Sequence, residues 1–266
     1  MSEGEMIFAV ISSIAAVVAW GIWYFSLLAV GRYYRFRSER ILLHLVPPCC
    51  ALLLWLVLRR WASSDVRDSS TYLNFYRAMG AAWVGLVKAF FLLLNLSVRQ
   101  DAIERRNGAA AIAVAGGLIG LTLAFAGGNI GDGPGFHVVI LSAGISTGSL
   151  YIFWYFYEAV ARVSEAITVE RDPAAGWRLA GFLASLGAVL GRGVAGNWVS
   201  FEATLADYHP YWIFGGGFVA GAIVLELLCQ KLPLPRSVAV VFLGILPALL
   251  FAAAAAIFIA SRGWWV

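Results

Sequence analysis

The chain has 266 residues, of which 61% are hydrophobic and only 13% charged, and its mean hydropathy is +0.82. A soluble domain carries roughly 25% charged residues to keep its surface wet, so a soluble enzyme of this length is excluded. The net charge of +4 arises from 17 Arg and two Lys gathered in short segments between apolar runs, which points to lipid headgroups as partners and away from nucleic acid.

A membrane-crossing helix needs about 20 mainly apolar residues. The sequence predicts eight, at 6–30, 41–57, 72–96, 109–126, 136–160, 174–196, 211–229 and 237–260. The expected fold class is therefore all-α: a polytopic integral membrane protein with about eight transmembrane helices. The first run follows Ser-Glu-Gly-Glu and ends without a small-residue cleavage site, so it is expected to stay as a helix and not to be removed as a signal peptide. The abundant Trp, Tyr and Phe are the amphipathic rings that collect at the headgroup level. Cys49, Cys50 and Cys229 show neither metal-ligand nor disulfide spacing, and no metal or cofactor is expected.

Lys and Arg accumulate in cytoplasmic loops. The connections after the first, third, fifth and seventh runs hold Arg32, Arg35, Arg37 and Arg40, then Arg99, Arg105 and Arg106, then Arg162 and Arg171, then Lys231 and Arg236. The opposite side holds Arg59, Arg60, Arg67 and Arg262 beside Asp65, Asp68, Asp132, Glu202 and Asp207. Both termini are thus expected on the outer side, with Arg59 and Arg60 anchoring the second helix at the interface.

An internal repeat emerges when Arg106-Asn107-Gly-Ala-Ala is laid on Arg171-Asp172-Pro-Ala-Ala, an offset of 65. Ala115, Gly116, Leu118 and Leu121 then fall on Ala180, Gly181, Leu183 and Leu186. A slip of three residues brings Asn129 onto Asn197 and Glu158 onto Glu226. The unit is a helical hairpin, and two of them run in the same sense, as parallel repeats about an axis along the membrane normal. The expected organisation is an N-terminal three-helix module over 1–99, the duplicated unit over 100–230 (100–161 and 162–230), and a closing helix with an outward tail over 231–266. At these residues the chain resembles YjfL-like bacterial inner-membrane proteins, which are built from a duplicated two-helix unit. The resemblance implies an inner-membrane location, with the outer side periplasmic, and a part in envelope maintenance. It supplies no catalytic residues.

Gly116 and Gly120, Gly144 and Gly148, Gly187 and Gly191, and Gly217 and Gly221 put small residues on one face of each repeat helix. Small residues let backbones approach, so a tight four-helix core or a homo-oligomer or partner interface is expected, with a permeation path lined by these glycines as the sharper alternative. The Gly-rich loop 126–135 lacks the Lys and Ser/Thr of a phosphate-cradling loop. Its Asn129 and Asp132 are read as turn formers, or as cation or headgroup ligands.

Ionisable residues inside spans are functional candidates by default. Arg77, Arg178 and Arg192 fall near helix ends, where they are expected to snorkel. Lys88 falls about 12 Å inside the third helix, on the same side as Glu158 and Glu226, and is expected to pair with one of them. The alternative is that Lys88 snorkels and both glutamates sit wet at the interface. His44, His137 and His209 are expected to make interfacial hydrogen bonds, since only the last two share a leaflet and a haem needs facing ligands.

Three readings of function follow. The first is an ion or small-solute channel or transporter, with Lys88, Glu158 and Glu226 at the repeat interface and Asn129, Asp132 and Asn197 at its outer mouth. The second is a membrane-stress or scaffold subunit that holds a partner through its glycine faces and anionic lipid through its basic inner loops. The third is an intramembrane lipid-modifying enzyme.

Overall fold

The computed structural model describes residues 1–31, 38–232 and 234–263, so Arg32, Arg35 and Arg37 lie outside the described residues. Helix accounts for 85% of the chain, with no strand among the described residues. Among the described residues, eight helices are long and apolar enough to cross a membrane: α1 (Glu3–Ala29), α2 (Ser38–Trp61), α3 (Ser70–Leu94), α4 (Gly108–Gly127), α5 (Phe136–Ala161), α6 (Pro173–Gly193), α7 (Phe201–Cys229) and α8 (Arg236–Ser261). The protein is an all-α polytopic integral membrane protein.

Local chemistry moves several helix ends from their expected places. In α1, Ser2 and Glu5 form a capping box: the Ser2 N–H donates to Glu5 Oε2 at 2.7 Å and the Glu5 N–H to Ser2 Oγ at 3.3 Å. The third helix tightens to a 3-10 spiral over Lys88–Leu94 and stops at Asn95, whose φ of 58° is left-handed. The seventh starts well before residue 211. Ser200 caps it by accepting the Ala203 N–H at 3.1 Å, and Pro210 is carried inside.

α4 and α6 form the centre of the bundle. Of their most apolar stretches 83% and 78% is buried, against 17% to 50% for the other six. They run parallel and touch backbone to backbone. A Cβ on Gly120 would fall inside the Leu183 carbonyl, and one on Gly187 inside the Gly120 carbonyl. α2 packs on the flank of α4 and α8 on that of α6, while α1 packs on α3.

The starts of α4 and α6 are built alike. Asn107 Oδ1 accepts the N–H groups of Ala109 and Ala110 at 3.0 and 3.3 Å, and Asp172 accepts those of Ala174 and Ala175 at 2.9 and 3.0 Å. Each N-cap follows an arginine at positive φ, Arg106 at 52° and Arg171 at 57°. This end of the bundle, whose helix ends and connections also carry Arg40, Arg99, Arg105, Arg162 and Arg236, is the arginine-rich end. At the opposite, Gly-loop end the loops after α4 and α6 join: the Gly196 N–H donates to Ile130 O at 2.9 Å and the Trp198 N–H to Asp132 O at 2.8 Å. Gly131 (φ 99°) and Gly196 (φ 143°) stand at the crossing, where a Cβ on Gly131 would fall inside the Gly196 carbonyl.

Two prolines inside α2 explain how α1 is attached. Pro47 and Pro48 have no N–H to give to the carbonyls four residues earlier, those of Leu43 and His44. Both carbonyls are taken by α1: Trp23 Nε1 donates to Leu43 O at 3.1 Å and the Tyr24 hydroxyl to His44 O at 3.2 Å. Removing a hydrogen bond of this kind costs about 1 kcal/mol. We therefore expect Tyr24→Phe to lower stability to unfolding in detergent by about that much. The cost should be clearly less in a Pro48→Ala background, where the substitution restores a backbone N–H that can reach His44 O. Equal costs in both backgrounds would count against this attachment.

Candidate functional site

The most deeply buried charges lie near the arginine-rich end, where four helices meet. Arg178 of α6 is 2% exposed and Glu226 of α7 is fully buried. They form a two-pronged ion pair, Arg178 Nε to Glu226 Oε2 and Nη2 to Oε1, both at 2.6 Å. Paired parallel contacts of this kind are the strongest a guanidinium makes. The Tyr157 hydroxyl of α5 donates to Glu226 Oε2 at 2.8 Å. Arg178 Nη1 donates to Leu243 O of α8 at 2.5 Å, the carbonyl to which Pro247 has no N–H to offer. Asp172 Oδ2 lies 3.7 Å from Arg178 Nη2.

Arg178 of the node lines a cavity of about 520 Å³ at the arginine-rich end, with walls that include Arg162, Glu165, Glu170, Asp172 and Arg236, while Glu226 and Tyr157 lie buried behind it. Both signs of charge face it. Behind the node, the buried face of α5 carries Ser142, Ser146, Ser149, Phe153 and Tyr157, spaced by four or three residues and so on one stripe. Ser146 Oγ donates across to Ala124 O of α4 at 2.9 Å. The stripe runs about 22 Å along α5 to Ser142, which lines a small cavity of about 70 Å³ at the Gly-loop end together with Asn129, Asp132, Asn197 and Asp207.

The expected pairing of Lys88 with a glutamate is not what these side chains make. Lys88 Nζ donates to Gly85 O at 2.5 Å and lies 5.4 Å from the Trp20 ring centroid, in a groove beside α1. Glu226 has Arg178. Glu158 is 8% exposed and caps the short helix Val163–Thr168, accepting the Ser164 N–H on Oε2 at 2.9 Å and the Ser164 hydroxyl on Oε1. It thus satisfies an amide that a helix start leaves open. The two glutamates therefore have different roles, and neither is left wet at the interface. Arg178 does not snorkel: facing helices supply its partners inside the bundle, so it need not reach water.

At the Gly-loop end the structure brings Asp132 and Asn197 together, with the Asp132 N–H donating to Asn197 Oδ1 at 2.8 Å. Asn129 is buried behind them and donates through Nδ2 to Phe125 O at 2.9 Å. Of the basic residues expected on the inner loops, Arg105 pairs with Asp101 at 3.3 Å and the Arg171 carbonyl accepts from Arg236 at 3.1 Å. Arg40 donates to Leu27 O, and Arg106 holds the turn before Asn107.

Sequence reasoning missed Arg178 and Tyr157. Arg178 offered one signal, a cation whose nearest sequence acids are Asp172 at its own helix start and residues on other helices. Tyr157 offered none.

Removing one partner of a buried ion pair strands the other charge and costs about 3–5 kcal/mol, whereas replacing both by apolar groups is often neutral. We expect Glu226→Ala to destabilise the protein in detergent by that margin, and Arg178→Met with Glu226→Leu to recover most of it. A Glu226→Ala variant as stable as the wild type would refute the node's structural role. No protein-family model, curated protein or solved structure matches the chain.

Proposed function

We propose that the protein is transporter-like and moves a proton or small ion between the two ends of the bundle, with the Arg178–Glu226–Tyr157 node as its gate. One observation carries this reading: a buried ion pair whose Arg178 lines an end-opening cavity, with a serine stripe behind it. Charged groups this far inside a membrane protein characteristically mark ion paths and proton relays. The path does not run between α4 and α6, because their glycines bring backbone against backbone and leave no space. It follows α5, and Phe153, packed over Gly215, is the apolar block between Ser149 and Tyr157.

Two further assignments belong to this proposal. The arginine-rich end is cytoplasmic and both termini lie on the periplasmic side of an inner membrane, supported by the excess of cations at that end. α4–α5 and α6–α7 are repeats of one hairpin, supported by their parallel central pair and by the matching backbone at Arg106 and Arg171 and at Gly131 and Gly196, each pair 65 residues apart.

The test is ion and proton flux into proteoliposomes for the wild type, Glu226→Gln, Tyr157→Phe and Glu158→Gln, each checked for monodisperse elution. Flux is expected from the wild type, to be lost in Glu226→Gln and reduced in Tyr157→Phe, and to persist in Glu158→Gln, whose amide oxygen still caps Ser164. Wild-type flux unchanged by Glu226→Gln, or no flux from any form, would reject the gate.

One observation favours a second reading, a scaffold subunit. Gly144 and Gly148 of α5 and Gly217 and Gly221 of α7 face outward, with nothing within 4 Å of an added Cβ. These two glycine pairs are not part of the expected four-helix core, and their open faces suit another helix in the bilayer. On this reading, Gly148→Leu with Gly221→Leu leaves the fold stable but abolishes a stoichiometric co-purifying chain or a homo-oligomer seen by native mass spectrometry.

A further inference from the structure

Arg77 of α3 takes no part in the node or in the proposed path. It is exposed, and none of the ion pairs made by the described residues includes it. α3 starts at the Gly-loop end, where the connection from α2 meets the Gly loop at Ala62 and Gly131, and Arg77 stands about 10 Å along it. Its side chain turns back toward the helix start, as helical side chains do, and Nη1 donates to Asn74 Oδ1 at 3.4 Å. The guanidinium is thereby held at the level of Asn74, about 6 Å from the helix start, where headgroups give way to lipid chains. Asn74 takes one of its five N–H donors.

Below the guanidinium lies an apolar slot of about 440 Å³ between α2 and α3, with Phe125 of α4 on its floor and Trp20 and Tyr24 of α1 at its inner end. The polar atoms of those two rings are already spent, Trp20 Nε1 on Ala81 O at 2.9 Å and the Tyr24 hydroxyl on His44 O. Pro47 and Val84, the deepest lining residues of α2 and α3, both lie about 21 Å from the Gly-loop end, near the middle of the bilayer. The slot therefore runs inward from the guanidinium, the direction in which an acyl chain leaves its headgroup. Pro48 and Ala51 on its rim are exposed, so it opens sideways to lipid. Arg77 is the single charge among the residues that line it. We propose that this slot binds an anionic phospholipid of the leaflet at the Gly-loop end, with its phosphate on Arg77 and one acyl chain between α2 and α3 as far as Trp20. The occupant is anionic because no carboxylate lines the slot to receive the cation of a choline headgroup. It is a lipid because the slot is apolar and opens into the bilayer.

The site stands or falls independently of flux through α5. Native mass spectrometry of the purified full chain, titrated with phosphatidylglycerol or with phosphatidylcholine of the same chains, tests it. The wild type is expected to retain phosphatidylglycerol several-fold better. Arg77→Gln should lower that retention about fivefold, the worth of one cation against an anionic headgroup, while Arg77→Lys should keep most of it. Ala51→Trp fills the slot with the charge left in place, and is expected to lower retention as well. Both positions are exposed, so these variants are expected to elute as the wild type does. Equal retention of the two lipids by the wild type would overturn the proposal. So would undiminished phosphatidylglycerol retention in Arg77→Gln, or an equal loss on Arg67→Gln, a cation of the same end that does not line the slot. Undiminished retention in Ala51→Trp would overturn the acyl-chain half of the site.

Discussion

In the hydrocarbon core of a bilayer no water is at hand, so backbone polar groups must find their partners inside the protein. Three of the prolines within the spans, Pro47, Pro48 and Pro247, each withdraw an N–H from a carbonyl one turn earlier that becomes a point of attachment. Trp23 and Tyr24 take the two freed by Pro47 and Pro48 and so bind α1 to α2. Arg178 takes the one that Pro247 leaves, binding α6 to α8. Hydrophobicity cannot order helices whose lipid surroundings are as apolar as their side chains. These obligatory polar contacts, with close packing, decide which helix lies beside which.

The Arg178–Glu226 pair carries this logic furthest. Two charges buried from water are stable only when each holds the other and their remaining hydrogen-bonding capacity is filled. Glu226 meets Arg178 on both oxygens and Tyr157 on one, while Arg178 also reaches a backbone carbonyl and Asp172. The node requires α5, α6, α7 and α8 at once, so it specifies their arrangement. It also places Arg178 against the cavity at the arginine-rich end.

Close packing sets the other limit. Glycine in α4 and α6 removes the side chains that would hold the two backbones apart, and the pair closes along its length. The same residue type on the outward faces of α5 and α7 leaves open surface. Identical spacing in sequence therefore leads to a sealed seam in one place and an unoccupied face in another, according to what stands opposite.

Length and hydropathy alone determined the class of this protein and the existence of all eight spans, because a stretch of about 20 apolar residues has few other stable environments. The N-cap residues Asn107 and Asp172 were also legible, since capping is local chemistry between neighbours in sequence. Partnership was not. Lys88, Glu158 and Glu226 share a leaflet by counting along their helices, but depth gives no azimuth, and a rotation of one helix by a third of a turn changes which neighbour a side chain meets. Glu158 found Ser164 within its own connection, Glu226 found Arg178 across a helix pair, and Lys88 found two tryptophans. Tertiary structure alone decided these pairings, because they depend on helix rotation and neighbour identity, which packing and the satisfaction of freed carbonyls fix only once all the helices are together.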